Sequence, residues 1–163
     1  MSNFKIPLCL LLLFAASFNV AVAGSDHEAV QQILADNKAP AGVVFEIAVA
    51  DADALQWAIP RIRQYSEQLR NKYQGLELAV VTHGREQFAL QKDNADEYEE
   101  VHKEVEQMSR SGKIPVHICQ TFASWNGVDA EDFPSYVTVS ATGPQQVNDY
   151  LELGYVLVEI RRP

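Results

Sequence analysis

Short apolar stretches alternate with amphipathic ones along most of this chain. Five stretches have the β-branched and aromatic character of strands, namely 43–49, 76–82, 113–118, 136–139 and 155–160. Between them, apolar residues recur at three- and four-residue spacing, which is typical of amphipathic helices. Strands that alternate with helices in this way predict an α/β fold. We expect one compact domain with a five-stranded, mainly parallel sheet and helices on both faces.

Two of the predicted helices have well-defined apolar stripes. In the first, Asp51 or Asp53 could cap the start, and Pro60 is expected in the first turn, where proline is tolerated. Its stripe consists of Leu55, Ala58, Ile62, Tyr65, Leu69 and Tyr73. The last helix opens at Thr142 or Gly143. Its expected buried residues are Val147, Tyr150 and Leu151.

The first residues have the three parts of a secretory signal peptide. Lys5 precedes an apolar run from Ile6 to Phe18, and the small-residue site Ala21-Val22-Ala23 follows. We interpret this as a leader that is cleaved after Ala23. An uncleaved anchor is the alternative, because the run is close to the length that spans a membrane. Cys9 lies inside the apolar run without small residues before it, so it does not fit a lipid-attachment site.

The chain is thus predicted to have three parts: a signal peptide over 1–23, an N-terminal arm or short helix over 24–41, and the α/β domain over 42–163. The leader predicts export, which in a bacterium means the periplasm. After cleavage, no stable membrane association is expected.

Charge and composition exclude several classes of function. The formal net charge is −9, and an acidic chain without a basic cluster is a poor candidate for binding nucleic acid or an anionic membrane. The acidic stretch from Asp93 to Glu106 keeps helical spacing and lacks the glycine and ligand spacing of a calcium loop, so it indicates a solvated helix face. No C-x-x-C, C-x-x-C-H, phosphate-binding glycine loop or G-x-S-x-G occurs, and no cofactor is predicted.

Cys119 is the candidate reactive residue, because it is the cysteine that remains after loss of the leader. An apolar strand ends at this thiol and a helix-like segment follows at once, so helix amides could favour the thiolate. Outside the cytoplasm structural cysteines come in pairs. A lone cysteine is then either exposed and used, or buried as a small hydrophobe.

Two histidines are candidate neighbours of that thiol. In open α/β sheets, ligands bind outside the carboxyl ends of the strands, which is where His83 and Cys119 are expected. His117 lies two residues before Cys119, so an extended strand directs both to the same face. Either imidazole could lower the thiol pKa or move protons for it, and a structural role is the alternative for each. The three residues could supply metal ligands, but no CxxC or HxxxH spacing supports this, and no metal is predicted.

In their order and spacing, these segments resemble the DsrE/DsrF family. The strand Ile114-Pro115-Val116-His117-Ile118-Cys119 is similar to the family's strand ending in V-x-V/I-C, and a small-residue helix, a Gly127-Val128 turn and an acidic link at 129–132 follow it. The segment at 79–84 is similar to a V-V-x-H-G-like strand end, and 151–155 to the family's final helix with glycine and an aromatic residue. The resemblance covers roughly Val43 to Ile160.

The resemblance implies a function as well as a fold. In DsrE and its tRNA-thiolation relatives, the cysteine at this strand end holds a persulfide and passes sulfur to a partner protein. That role maps onto Cys119, and the family implies none for His83 or His117. Its members form homo-oligomers, commonly trimers or hexamers.

Two functional hypotheses follow. The first is an exported sulfur carrier or sulfurtransferase-like protein, whose partners are a sulfur donor or acceptor protein or small reduced sulfur species. The leader separates this chain from the cytoplasmic partners and tRNA of the characterised relays. The second is a non-catalytic oligomeric binding or assembly module that keeps the fold alone.

Overall fold

Helices and strands alternate throughout residues 25–162, which are the residues described by the computed structural model. The predicted signal peptide lies outside the described residues. The elements in chain order are α1 Asp26–Ala35, β1 Gly42–Ile47, α2 Leu55–Lys72, β2 Glu77–Thr82, α3 Glu99–Arg110, β3 Val116–Cys119, α4 Gln120–Trp125, β4 Thr138–Ser140, α5 Gly143–Glu152 and β5 Tyr155–Glu159. Short 3₁₀ turns lie at Arg85–Leu90, Lys92–Asn94 and Ala130–Asp132. No helix within 25–162 combines the length and apolarity needed to cross a bilayer.

The five strands form one sheet in the order β4-β3-β2-β1-β5, and every neighbouring pair is parallel. The prediction of a single-domain α/β fold with five strands is therefore confirmed, and the mainly parallel sheet proves to be parallel throughout. Its central strands are nearly continuous apolar runs, as expected when both faces are covered. The carboxyl ends of all five strands consequently meet at one edge.

Alternate side chains of each central strand enter different cores. On one face, Val43, Phe45 and Ile47 of β1 pack in the main core with residues of α1, α2 and α3. On the other face, Val44, Ala79 and Val81 form a smaller cluster with Val147 of α5. We call these the α2 face and the α5 face.

Three details of the helices differ from the predictions. Helix α2 begins at Leu55, so Pro60 lies inside the helix and not in its first turn. Neither aspartate caps α2, because the Asp51 carboxylate accepts the Asp53 backbone N–H (3.1 Å) and the Asp53 carboxylate accepts the Tyr98 hydroxyl (2.8 Å). In α5, Leu151 is 39% exposed, since the buried side of this helix passes through Gly143 and Val147.

The end of α2 satisfies the last carbonyls of α1. The hydroxyl of Tyr73 lies 2.8 Å from the Ile33 carbonyl and 2.6 Å from that of Asp36. The ammonium of Lys72 donates to the Leu34 and Asp36 carbonyls. At the other end of α1, Asp26 and Arg61 form an ion pair at 2.9 Å. Helix α1 is thus bound to α2 at both ends.

Removing the Tyr73 hydroxyl tests this attachment. We expect Tyr73→Phe to lower the free energy of unfolding by about 1 kcal/mol, because the ring stays packed while the Ile33 and Asp36 carbonyls each lose one of their donors. Urea denaturation measures the change. Tyr155→Phe is the matched control, since no hydrogen bond from the Tyr155 hydroxyl is seen within residues 25–162. Equal effects of the two substitutions would contradict the assignment.

Candidate functional site

Cys119 lies at the carboxyl edge of the sheet, at the junction between β3 and α4. It is the N-cap residue of α4, and its Sγ accepts the backbone N–H of Phe122 at 3.4 Å. The residue is 4% exposed, and its thiol is free. The thiol therefore has a donor aimed at its sulfur but little open surface.

The backbone of Cys119 is held by a buried side chain that sequence reasoning missed. Gln87, in the 3₁₀ turn after β2, accepts the Cys119 N–H with its Oε1 (2.8 Å) and donates from its Nε2 to the Cys119 carbonyl (3.3 Å). These two hydrogen bonds take the place of those that a neighbouring strand would make with the Cys119 backbone. The segment Arg85–Leu90 has neither helical nor strand periodicity, so nothing in the sequence marked Gln87 as buried.

The preceding residue, Glu86, fixes the ends of β1 and β2 and was also missed. Its side chain is fully buried. The carboxylate accepts the Thr82 hydroxyl (2.6 Å), the Gly84 N–H (2.9 Å) and the Val49 N–H (3.0 Å). A Cβ at Gly84 would lie 2.3 Å from a Glu86 carboxylate oxygen, so this close approach requires glycine.

His83 follows β2 directly and is paired with a carboxylate. Its Nε2 lies 2.8 Å from Oε1 of Glu46 in β1, and both side chains are less than one-fifth exposed. The first residue of α5 packs on the imidazole, because a Cβ on Gly143 would lie 2.3 Å from the Cβ of His83. Packing and the carboxylate together fix the orientation of the ring.

His117 has a different environment, in which both ring nitrogens are occupied. Its Nδ1 lies 2.9 Å from the Ser140 hydroxyl, and its Nε2 lies 2.9 Å from the Tyr150 hydroxyl. Ser140 donates its proton to Oε1 of Gln146 (2.9 Å). Burial lowers the pKa of His117 from 6.5 to about 4, so the ring is neutral near pH 7.

The register places His83 and Cys119 side by side. Thr82 pairs with Ile118, and the residues that follow this pair in the two strands are His83 and Cys119. Val81 belongs to the α5 face and pairs with His117, so alternation directs His83 and Cys119 toward that face as well. No hydrogen bond joins any two of Cys119, His83 and His117 among the described residues.

Aromatic side chains of α4 and of the 3₁₀ turn after β2 form a cluster close to Cys119 in the sequence of α4. Phe122 stacks on Phe88 with ring centroids 5.7 Å apart, and Trp125 contacts the edge of Phe122 at 6.5 Å. Trp125 is 77% exposed and so does not belong to the core.

The chemistry that these groups can perform is nucleophilic and protic. A thiol with an amide donor at its sulfur can act as a nucleophile, and a carboxylate-paired imidazole can accept or donate a proton. Within residues 25–162, no three His, Cys, Asp or Glu side chains converge in a way that could hold a metal ion.

Comparison with known proteins identifies the fold and no chemistry. No protein-family model matches the chain, and no curated protein matches it. The solved structure of the protein of unknown function MTH1491 from Methanobacterium thermoautotrophicum is similar, with 20% identity over 72% of this chain and 96% of that chain and a TM-score of 0.57. The conserved protein of unknown function BT1422 from Bacteroides thetaiotaomicron is similar with 19% identity, 72% and 94% coverage and a TM-score of 0.50. At these identities the likeness shows the α/β fold alone.

Proposed function

We propose that this chain is an exported, DsrE-like sulfur carrier or sulfurtransferase-like protein that acts through a persulfide on Cys119. The observation that supports this most directly is the hydrogen bond from the Phe122 N–H to the Cys119 sulfur at the carboxyl edge of the parallel sheet. An amide donor stabilises negative charge on sulfur, and the thiolate is the reactive form of cysteine. The same amide is available to a thiolate that leaves when sulfur is passed on.

The proposed reaction is a thiol exchange at a sulfane sulfur. The Cys119 thiolate attacks the outer sulfur of thiosulfate or polysulfide, the new S–S bond forms on Cys119, and the old S–S bond breaks to release sulfite or a shorter polysulfide. In the second step an acceptor thiolate attacks the outer sulfur of the persulfide, and Cys119 leaves as the thiolate. No external oxidant or reductant is needed.

The proposal includes a compartment and partners. The sequence of the leader supports a location outside the cytoplasm, so the donor is a small reduced sulfur species or an exported protein, and the acceptor is another exported thiol protein. A homo-oligomer, a trimer or hexamer, is proposed on the family resemblance.

Mass spectrometry tests the reaction. After incubation of the purified mature protein, without the predicted leader and its Cys9, with thiosulfate or polysulfide, we expect the intact mass to rise by one sulfur atom and to return on treatment with dithiothreitol. Cys119→Ser should gain nothing, because serine is not a nucleophile toward sulfane sulfur at neutral pH. A wild-type protein that takes up no sulfur, or a Cys119→Ser variant with the same adduct, would refute the proposal.

The burial of Cys119 favours a second candidate, a non-catalytic binding or assembly module. At 4% exposure the residue resembles a buried small hydrophobe. This candidate predicts that a bulky maleimide labels native Cys119 only as fast as the protein unfolds. Labelling faster than global unfolding, together with sulfur uptake, would exclude it.

A further inference from the structure

We propose that Glu46 and His83 form a proton-transfer pair that serves Cys119: His83 exchanges a proton with the sulfur that leaves or enters, and Glu46 positions its ring. This inference rests on the proposed sulfur chemistry of Cys119 and adds to it the group that handles the proton. The chain offers two histidines at the right edge of the sheet, and the contacts of each decide between them.

The contacts of His117 remove it from proton exchange with a ligand. Because Ser140 gives its proton to Gln146, its oxygen is free to accept the Nδ1–H of His117. The Nε2 then accepts the Tyr150 hydroxyl, whose pKa burial raises, so that it stays protonated. Both ring nitrogens are thus engaged by neutral partners, buried Ser140 and half-buried Tyr150, so we assign His117 a structural role.

The contacts of His83 leave it suited to proton exchange. One ring nitrogen is held by Glu46 at 2.8 Å, and no hydrogen bond to its Nδ1 is seen within residues 25–162. The ring is partly exposed, at 16%, in contrast to the buried ring of His117. An imidazolium formed at His83 has the Glu46 carboxylate as its counter-ion.

The charged residues around Glu46 form ion pairs that leave its contact with His83 undisturbed. Glu46 pairs across β1 and β5 with Glu159, and the Arg161 guanidinium binds Glu159. Among residues 25–162, Arg161 thus forms an ion pair with Glu159, and His83 is the side chain that pairs with the Glu46 carboxylate. Gly143 at the start of α5 lies against the Cβ, Cγ and Cδ2 atoms of His83, and its lack of a side chain permits that contact.

The position of His83 next to Cys119 suits proton exchange with a sulfur atom that reacts at the thiol. His83 and Cys119 follow a paired residue in adjacent parallel strands, which lie ~4.8 Å apart. No hydrogen bond joins these two described side chains, and the proposal places the reacting sulfur atoms of a donor between the thiol and the imidazole. A group in that position is attacked from the Cys119 side and protonated from the His83 side.

In the loading step, the sulfur donor is a hydropolysulfide ion. The Cys119 thiolate attacks the terminal SH sulfur, the adjacent S–S bond breaks, and the leaving polysulfide dianion takes the proton from the His83 imidazolium. The products are the Cys119 persulfide, a hydropolysulfide one sulfur shorter, and neutral His83. In the transfer step His83 accepts the proton of the incoming thiol, which restores the imidazolium.

The test is the single-turnover rate at which polysulfide adds one sulfur to Cys119, followed by mass spectrometry. We expect His83→Ala to slow this step about 100-fold, within the range of general acid–base catalysis, and free imidazole to restore part of the rate. Glu46→Gln should give an intermediate rate, because the amide keeps a hydrogen bond to the ring but cannot balance its charge. His27→Ala is the control, since His27 is exposed on α1, and it should react at the wild-type rate.

The outcomes separate this inference from the proposed function. A His83→Ala variant that reacts at the wild-type rate would overturn the proton-transfer pair and leave the Cys119 persulfide standing. A slow variant that imidazole does not rescue would assign His83 a structural role and overturn the pair as well. A wild-type protein that takes up no sulfur would instead overturn the proposed function.

Discussion

Glu86→Ala should lower the free energy of unfolding by about 3 to 5 kcal/mol, because it removes the acceptor of one buried and two half-buried donors at once. The carboxylate accepts the Thr82 hydroxyl and two backbone N–H groups, those of Val49 and Gly84, and the Glu86 side chain is fully buried. A hydrogen bond to a charged acceptor contributes more to stability than one to a neutral acceptor, so its loss costs more free energy. The substitution also leaves a cavity beside the ends of β1 and β2.

Urea or guanidinium denaturation measures this loss, and a second substitution separates charge from volume. Glu86→Gln keeps the volume but turns an NH₂ group toward one of the donors, so it should also destabilise strongly. Glu100→Gln is the matched control, because the Glu100 side chain is 77% exposed and faces only Lys103 at 3.7 Å. If Glu86→Gln is as mild as Glu100→Gln, the Glu86 hydrogen bonds contribute little to stability.

His117 should make the protein lose stability as the pH falls. Its folded-state pKa is about 4 and its ordinary value is 6.5, and burial is the cause. Between these values the unfolded chain binds the proton and the folded protein does not, so the free energy of unfolding decreases with falling pH. The contribution of His117 to the free energy of unfolding is complete above pH 6.5. Its loss by pH 4 amounts to about 3 kcal/mol.

Comparison of pH profiles isolates this contribution from the carboxylates that titrate in the same range. His117→Gln has no titrating ring, so its stability should vary less between pH 6.5 and pH 4 than that of the wild type, whatever its absolute stability. His27→Gln removes an exposed histidine and should keep the wild-type profile. Parallel profiles for the wild type and His117→Gln would show that His117 is not buried as a neutral ring.

The architecture could be predicted because its signals are local. Each strand is a short apolar run such as Val43-Val44-Phe45, each helix has its own periodicity, and the right-handed crossovers of parallel strands leave few alternatives. The strand order β4-β3-β2-β1-β5 could not be predicted, because strands with similar apolar composition do not specify their neighbours. The position of Pro60 also escaped prediction, since the turn at 52–54 rather than an aspartate side chain starts α2.

The position of the candidate site could be predicted in the same way, but the contacts of its side chains could not. That His83 and Cys119 share an edge follows from parallel strands and their positions after β2 and β3. The partners that distinguish the two histidines are remote in sequence: Glu46 is 37 residues from His83, and Ser140 is 23 residues from His117. Gln87 and Glu86 were missed because a 3₁₀ turn buries them without any periodic signal. Such contacts require the strand order, which one sequence does not provide.

The position of β3 beside an edge strand bears on how a reagent can reach the Cys119 thiol. Its outer neighbour β4 has only three residues, begins with the exposed Thr138 and forms one edge of the sheet. Exposed segments with few buried contacts open locally at a lower free energy than global unfolding requires. Detachment of β4 would remove Ser140 from beside Cys119 and Val139 from the margin of the main core, while β1 and β2 stay paired. We therefore expect substitutions in β4 to change how often Cys119 reacts without altering the residue's own chemistry.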